Sequence, residues 1–117
     1  MNKTYNVLLD GQKIGTTQLE KADAPMGVAF GLIEFIDIES PYQFFKEYCS
    51  KNGVTINTDD PEFEIIDTQD ITGLKVLRND GLEIKGEAGN AISGMKEEGY
   101  EILLHKMDNL FPKLKFH

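Results

Sequence analysis

Between Tyr5 and Ile36 the apolar positions fall into three runs separated by two turn signals. The first run, residues 5–9, ends at Asp10-Gly11, a dipeptide that tolerates positive φ and favours a tight hairpin. The second, residues 14–19, is rich in Thr and suits a strand with one wet face. Residues 21–25 break the pattern, because Pro25 has no N–H to give a ladder and biases Ala24 away from helix. The third run, residues 28–36, is apolar at nearly every position on both faces, as expected of a central strand. Gly27 and Gly31 mark a bend or bulge near its start. Together these runs predict a three-stranded antiparallel meander, which needs a packing partner to bury a face.

A switch in period supplies that partner. Pro41, Phe44, Phe45, Tyr48 and Cys49 recur at helical spacing, with Lys46, Glu47, Ser50 and Lys51 on the other side. Ser40 is a good N-cap, Pro41 suits the first helical position, and Gln43 completes an S-x-x-Q capping box. Asn52-Gly53 supplies the stop. The pattern predicts one helix over 41–52, covering the sheet with an aromatic stripe.

The strand pattern then returns. Residues 54–57 read as a short strand or extended linker. In a strand through 62–66, Phe63 and Ile65 would face one way, and Glu62, Glu64 and Ile66 the other. Residues 74–77 form a strand, 78–81 a hairpin turn, and 82–85 its alternating partner. Residues 87–92 read as a bulged continuation or another short strand, 94–99 as a charged turn or helical turn, and 100–107 as the last strand. Asn109 to Pro112 predict a short helical turn that tucks in Leu110 and Phe111. The last five residues are expected to fray unless Phe116 docks. The predicted fold is therefore α+β in a single domain, 1–117: a bent antiparallel sheet of about six to eight strands with one main helix. A closed or half-closed barrel is the alternative topology.

Charge sharpens this picture. The chain has 117 residues and a formal net charge of −8, with 27% charged and 40% apolar residues. Residues 1–58 carry seven acids and five bases, and residues 73–117 carry seven of each. Residues 59–72 carry six acids, Asp59, Asp60, Glu62, Glu64, Asp67 and Asp70, and no base. If that segment were one strand, its carboxylates would stand in a row over an anchored apolar face. One role for such a row is a solvated edge that discourages strand pairing. The other is a surface for a cationic protein. Nucleic acid and anionic membrane are poor partners for it, since phosphate binding needs clustered Lys and Arg. No apolar run is long enough to span a bilayer, and the first residues lack a hydrophobic signal, so a cytoplasmic protein is expected.

Candidate chemistry is sparse. Cys49 is the only cysteine, which rules out an internal disulfide and a cysteine metal cluster; it reads as a small buried apolar residue. His105 and His117 are the only histidines, and two so placed make no convincing zinc site. The eleven glycines fall in no phosphate-cradling motif. The spacing of a calcium loop is absent from the acidic segment. No catalytic residue, cofactor or metal is therefore expected. A pocket between sheet and helix lined by Phe30, Phe44, Tyr48 and Tyr100, or a homodimer through the third strand or an exposed edge, would serve a ligand-binding or structural role instead.

The order I-G-T-T-Q-L-E at 14–20, M-G-V-A-F-G at 26–31, Pro41-Tyr42 and L-F-P at 110–112 resembles that of a group of small uncharacterised bacterial proteins. That resemblance implies turns and strands and no activity. In general character the chain is similar to toxin-immunity proteins of the contact-dependent growth inhibition type. It implies a non-enzymatic protein that occludes a cognate, basic toxin domain, with the six acids of 59–72 as candidate contacts and a monomer or weak homodimer as the working state.

Overall fold

The computed structural model describes residues 4–23, 25 and 27–105. Among the described residues are one helix and ten strands, an α+β fold whose large antiparallel sheet bends without closing. The strands are β1 (Tyr5–Leu9), β2 (Gln12–Thr17), β3 (Lys21–Asp23), β4 (Val28–Phe35), β5 (Ile56–Asp60), β6 (Ile65–Thr68), β7 (Leu74–Leu77), β8 (Glu83–Ile84), β9 (Asn90–Met95) and β10 (Gly99–His105). The helix α1 spans Pro41–Asn52. The sheet runs β5-β6-β9-β10-β4-β2-β1-β7-β8, with β3 paired to β4 beside this path.

Strand β4 is central, as its two apolar faces predict, and it changes neighbours along its length. One edge pairs with β10 from Val28 to Leu32. The other pairs with β3 from Val28 to Phe30 and with β2 from Ile33 to Phe35. Residues 21–23, expected to break the pattern, are therefore a strand. All three side chains are exposed, so β3 is held by its backbone bonds to β4 and leaves no hydrophobic signature. Between β2 and β3 the chain bulges, with Leu19 at φ 46°. A Cβ on Gly31 would lie 2.8 Å from the Leu19 Cα, so only glycine admits the bulge there.

Alternation along the strands separates two faces. Ile33, Ile66, Ile92, Ile102 and Leu104 face inward and are buried with Val7, Leu74 and Val76. The helix lies against this inner face. Its Ser40 cap accepts from the Gln43 N–H at 3.2 Å, and Gly53 ends it in the left-handed conformation at φ 69°. The Gln43 side chain donates to Glu47 rather than completing the capping box. Phe45 is fully buried and meets Phe35 at 6.1 Å between ring centroids; Phe35 in turn meets Tyr100 edge-on at 6.5 Å. Cys49 is buried. The helix presents Tyr42, Phe45 and Cys49 to the core, while Phe44 and Tyr48 are half-buried flanks. The buried stripe is thus rotated towards Tyr42, whose hydroxyl finds a polar partner.

Residues 74–77 form the expected strand β7, paired across its turn with β8. Of residues 54–57, read as a short strand or extended linker, the first two lie outside any strand and the last two open β5, which runs to Asp60; β8 is only two residues long. The charged turn expected within residues 94–99 is present but shorter, at residues 96–98: β9 extends to Met95 and β10 starts at Gly99. Met107, Leu110, Phe111, Phe116 and His117 lie outside the described residues.

Two substitutions test this packing. Phe45→Ala should cost about 3–5 kcal/mol by opening a cavity at the helix–sheet contact. In Gly15→Ala the new Cβ would meet the Glu34 carbonyl oxygen at 2.5 Å, across the β2–β4 pairing. That variant should lose about 1–3 kcal/mol. Urea denaturation with a constant m-value would register both losses as shifts in midpoint.

Candidate partner-binding surface

The acidic segment is a hairpin rather than one strand. β5 and β6 pair from Ile56↔Thr68 to Asp60↔Ile65, and residues 61–64 form the turn between them. Pro61 removes a backbone donor at the point where a continuous strand would need one. The Asp60 carboxylate accepts the N–H groups of Glu62 at 3.0 Å and Phe63 at 3.3 Å, an Asx-type turn. Glu64 completes the reversal at φ 50°. The expected row of carboxylates therefore does not form. Phe63, expected to be an anchor, is 53% exposed at the tip, and the anchor is Ile66, fully buried.

The six acids divide by what they touch. Asp59 accepts a very short hydrogen bond from the Tyr42 hydroxyl and pairs with Lys46 at 3.3 Å. Lys46 also donates to the Tyr42 oxygen at 3.1 Å. The Tyr42 hydrogen bond, and then Lys46, hold the Asp59 carboxyl below its ordinary value despite some desolvation. The hydrogen bond to Asp59, reinforced by burial, raises Tyr42. Lys46 is raised by its bonds to Tyr42 and then Asp59. This cluster clamps β5 to the first turns of α1. Glu64 accepts from the Ser40 hydroxyl at 3.3 Å and pairs with Lys96 at 3.6 Å. Its carbonyl accepts from the Tyr100 hydroxyl at 2.6 Å. Burial, with the Glu64 charge second, pushes Tyr100 up to about 12. Asp70 accepts from the Asn90 N–H at 2.9 Å, close over Gly89. Of the six side chains, only those of Glu62, exposed at the tip, and Asp67, half-buried on β6 with its neighbour Ile66 facing inward, make no hydrogen bond or ion pair among the described residues.

A second acidic surface lies beside this hairpin, and the sequence pattern does not reveal it. Two open depressions, of about 440 and 380 Å³, flank Leu32 on the outer face of β4. Thr16, Glu20, Glu34, Glu98 and Gly99 line the first; Lys21, Ile65, Glu98, Gly99 and Glu101 line the second. Their carboxylates come from three separate parts of the chain, Glu20, Glu34 and Glu98 with Glu101, so no single charge run announces them.

The aromatic pocket expected from Phe30, Phe44, Tyr48 and Tyr100 does not assemble. Phe44 and Tyr48 border a depression with Asp10, Ile14 and Ile36. Tyr100 is buried, and Phe30 lies under the Lys21 ammonium, 5.9 Å from its ring centroid. His105 pairs with Val28 at the end of β10 and is half-buried. Among the described residues no three His, Cys, Asp or Glu side chains converge as a metal site, and no helix is long and apolar enough to cross a membrane.

Comparison with known proteins finds no matching family model, no matching curated protein and no matching solved structure.

The Tyr42–Asp59–Lys46 clamp has a titration signature. Tyr42→Phe removes the first contributor to the depressed Asp59 pKa, so carboxyl NMR should find Asp59 titrating higher in the variant. A depressed carboxyl adds stability above its unfolded pKa, and that stability is lost as pH falls through the folded pKa. Denaturant midpoints should therefore fall less steeply below about pH 4 in the variant than in the native chain.

Proposed function

We propose that this chain is a binding protein rather than a catalyst, and that it neutralises a basic toxin domain by occluding it, as an immunity protein does. The observation that carries this reading is the density of charge in residues 59–72, six carboxylates and no base. Four of the six also serve the fold, through the clamp, the turn and the contacts of Glu64 and Asp70. The remaining pair, Glu62 and Asp67, are the better contacts. At the hairpin tip Phe63 stands exposed between Glu62 and Glu64, an aromatic anchor with an acidic surround. Central aromatic anchors with charged rims are the usual source of binding energy and of steering. An excess of carboxylates speeds encounter with a cationic protein and repels phosphate. The same reading places the protein in the cytoplasm, as a monomer or weak homodimer, with the toxin domain as its partner.

Co-expression with the product of the adjacent upstream gene tests it. A one-to-one complex on size exclusion, with rescue of cells from the neighbour's toxicity, is the expected result. Charge reversal by Glu62→Lys with Asp67→Lys should slow association roughly tenfold at low salt, and added salt should narrow the gap. An unchanged association rate would remove the hairpin from the mechanism. A harmless neighbour that forms no complex would overturn the neutralising role.

A further inference from the structure

We propose that the paired depressions astride Leu32 seat an extended cationic segment of the partner protein, one Lys or Arg side chain entering each depression while their aliphatic stems cross Leu32. This deepens the binding reading above and rests on it.

The seat exists because of how β4 is shared. Its pairing with β10 stops at Leu32, and its pairing with β2 starts at Ile33, so the two halves of the sheet diverge there. Glycine deepens the floor between them. A Cβ on Gly99 would stand 3.0 Å from Leu32 Cδ2, and one on Gly94 would meet the Gly99 carbonyl oxygen at 2.3 Å. Side chains at those two positions would fill or displace the floor. Volumes of about 440 and 380 Å³ each take a long side chain with some water.

Charge selects the occupant. The first depression is lined by Glu20, Glu34 and Glu98 and by no base. The second shares Glu98 with the first and adds the Glu101–Lys21 pair, which meets at 3.0 Å, so an excess of negative charge remains across the two. Glu20 accepts the Leu32 N–H at 2.8 Å. The Glu34 and Glu98 side chains are exposed, with no hydrogen bond or ion pair among the described residues. Leu32 itself is 44% exposed between the two hollows. Lys and Arg stems lie along apolar surface while their heads reach for carboxylates, which matches one leucine between two acidic hollows. A second copy of this chain would bring like charge to like charge, and a phosphate would meet an excess of carboxylates. A cationic protein segment fits both the sign of the charge and the shape.

Nitrogen-15 NMR titration with the peptide acetyl-Arg-Gly-Arg-amide tests the seat, with the citrulline counterpart as the uncharged control. The expected result is saturable shifts at residues 16–20, 31–34 and 98–101 with the arginine peptide and none with citrulline. Glu34→Gln with Glu98→Gln, both exposed and isosteric, should weaken that binding roughly tenfold. Glu62→Lys with Asp67→Lys should leave the shift pattern at Leu32 and Gly99 in place. Shifts that centre on residues 60–67 and vanish in the hairpin variant would overturn the seat while sparing the binding reading. The absence of saturable shifts would overturn the seat outright, and the co-expression result would then decide the broader reading by itself. Equal affinity in the Glu34/Glu98 variant would likewise overturn it.

Discussion

Strand β4 must have both of its backbone edges satisfied, and no single neighbour runs its whole length. That constraint shapes the molecule. On one edge β3 and β2 take turns, and the register between them slips at the Leu19 bulge. The slip leaves the Leu32 N–H without a strand partner, and the Glu20 carboxylate supplies the acceptor at 2.8 Å. An unmade bond at such a place costs far more than a made one gains, so a charged side chain in a sheet is tolerated there. The same device recurs where β6 parts from β9. Thr68 Oγ1 accepts from Ile92 at 3.0 Å and Asp70 Oδ1 from Asn90 at 2.9 Å, in place of backbone carbonyls. Polar side chains thus let the sheet bend at the two points where its ladder fails.

This accounting changes the meaning of the acidic segment. Its charge density suggests recognition, yet Asp59, Asp60, Glu64 and Asp70 each complete a turn, a clamp or a ladder. Asp59 joins the edge strand β5 to the helix through Tyr42, and Glu64 ties the hairpin to Ser40 at the helix start and to Lys96 in the β9–β10 turn. Charge used in this way still contributes to the field around the molecule. The field steers over several ångströms, whereas hydrogen-bond roles are fixed at contact. A carboxylate can therefore hold the fold and attract a cation at once.

The two acidic surfaces adjoin. Ile65, next to the hairpin turn, lines one of the hollows beside Leu32, and Glu64 reaches towards the neighbouring turn through Lys96. The exposed Phe63 and the exposed Leu32 then mark two apolar contacts within one predominantly negative region. The inner face of the sheet, closed by Phe45, Phe35 and Tyr100, keeps this region in shape.

Local pattern alone determined much of this protein: the β1–β2 hairpin at Asp10-Gly11, the central place of β4, the helix over Pro41–Asn52 with its Ser40 and Gly53 caps, and the segregation of charge. Those features rest on interactions within a few residues, where turn chemistry and periodicity act directly. Tertiary structure decided the rest. β3 has three exposed residues and exists only because β4 offers a free edge, so no apolar alternation could mark it. Tyr42 is buried because Asp59, seventeen residues away, meets its hydroxyl; helical spacing alone favours Phe44 for that place. Asp60 turns the acidic segment back on itself, which removes the expected row of carboxylates. The hollows beside Leu32 gather Glu20, Glu34, Glu98 and Glu101 from three segments far apart in the chain. Pattern reading sums residues along the chain, but charge acts through space, and only the folded path of β4 and β10 sets those distances.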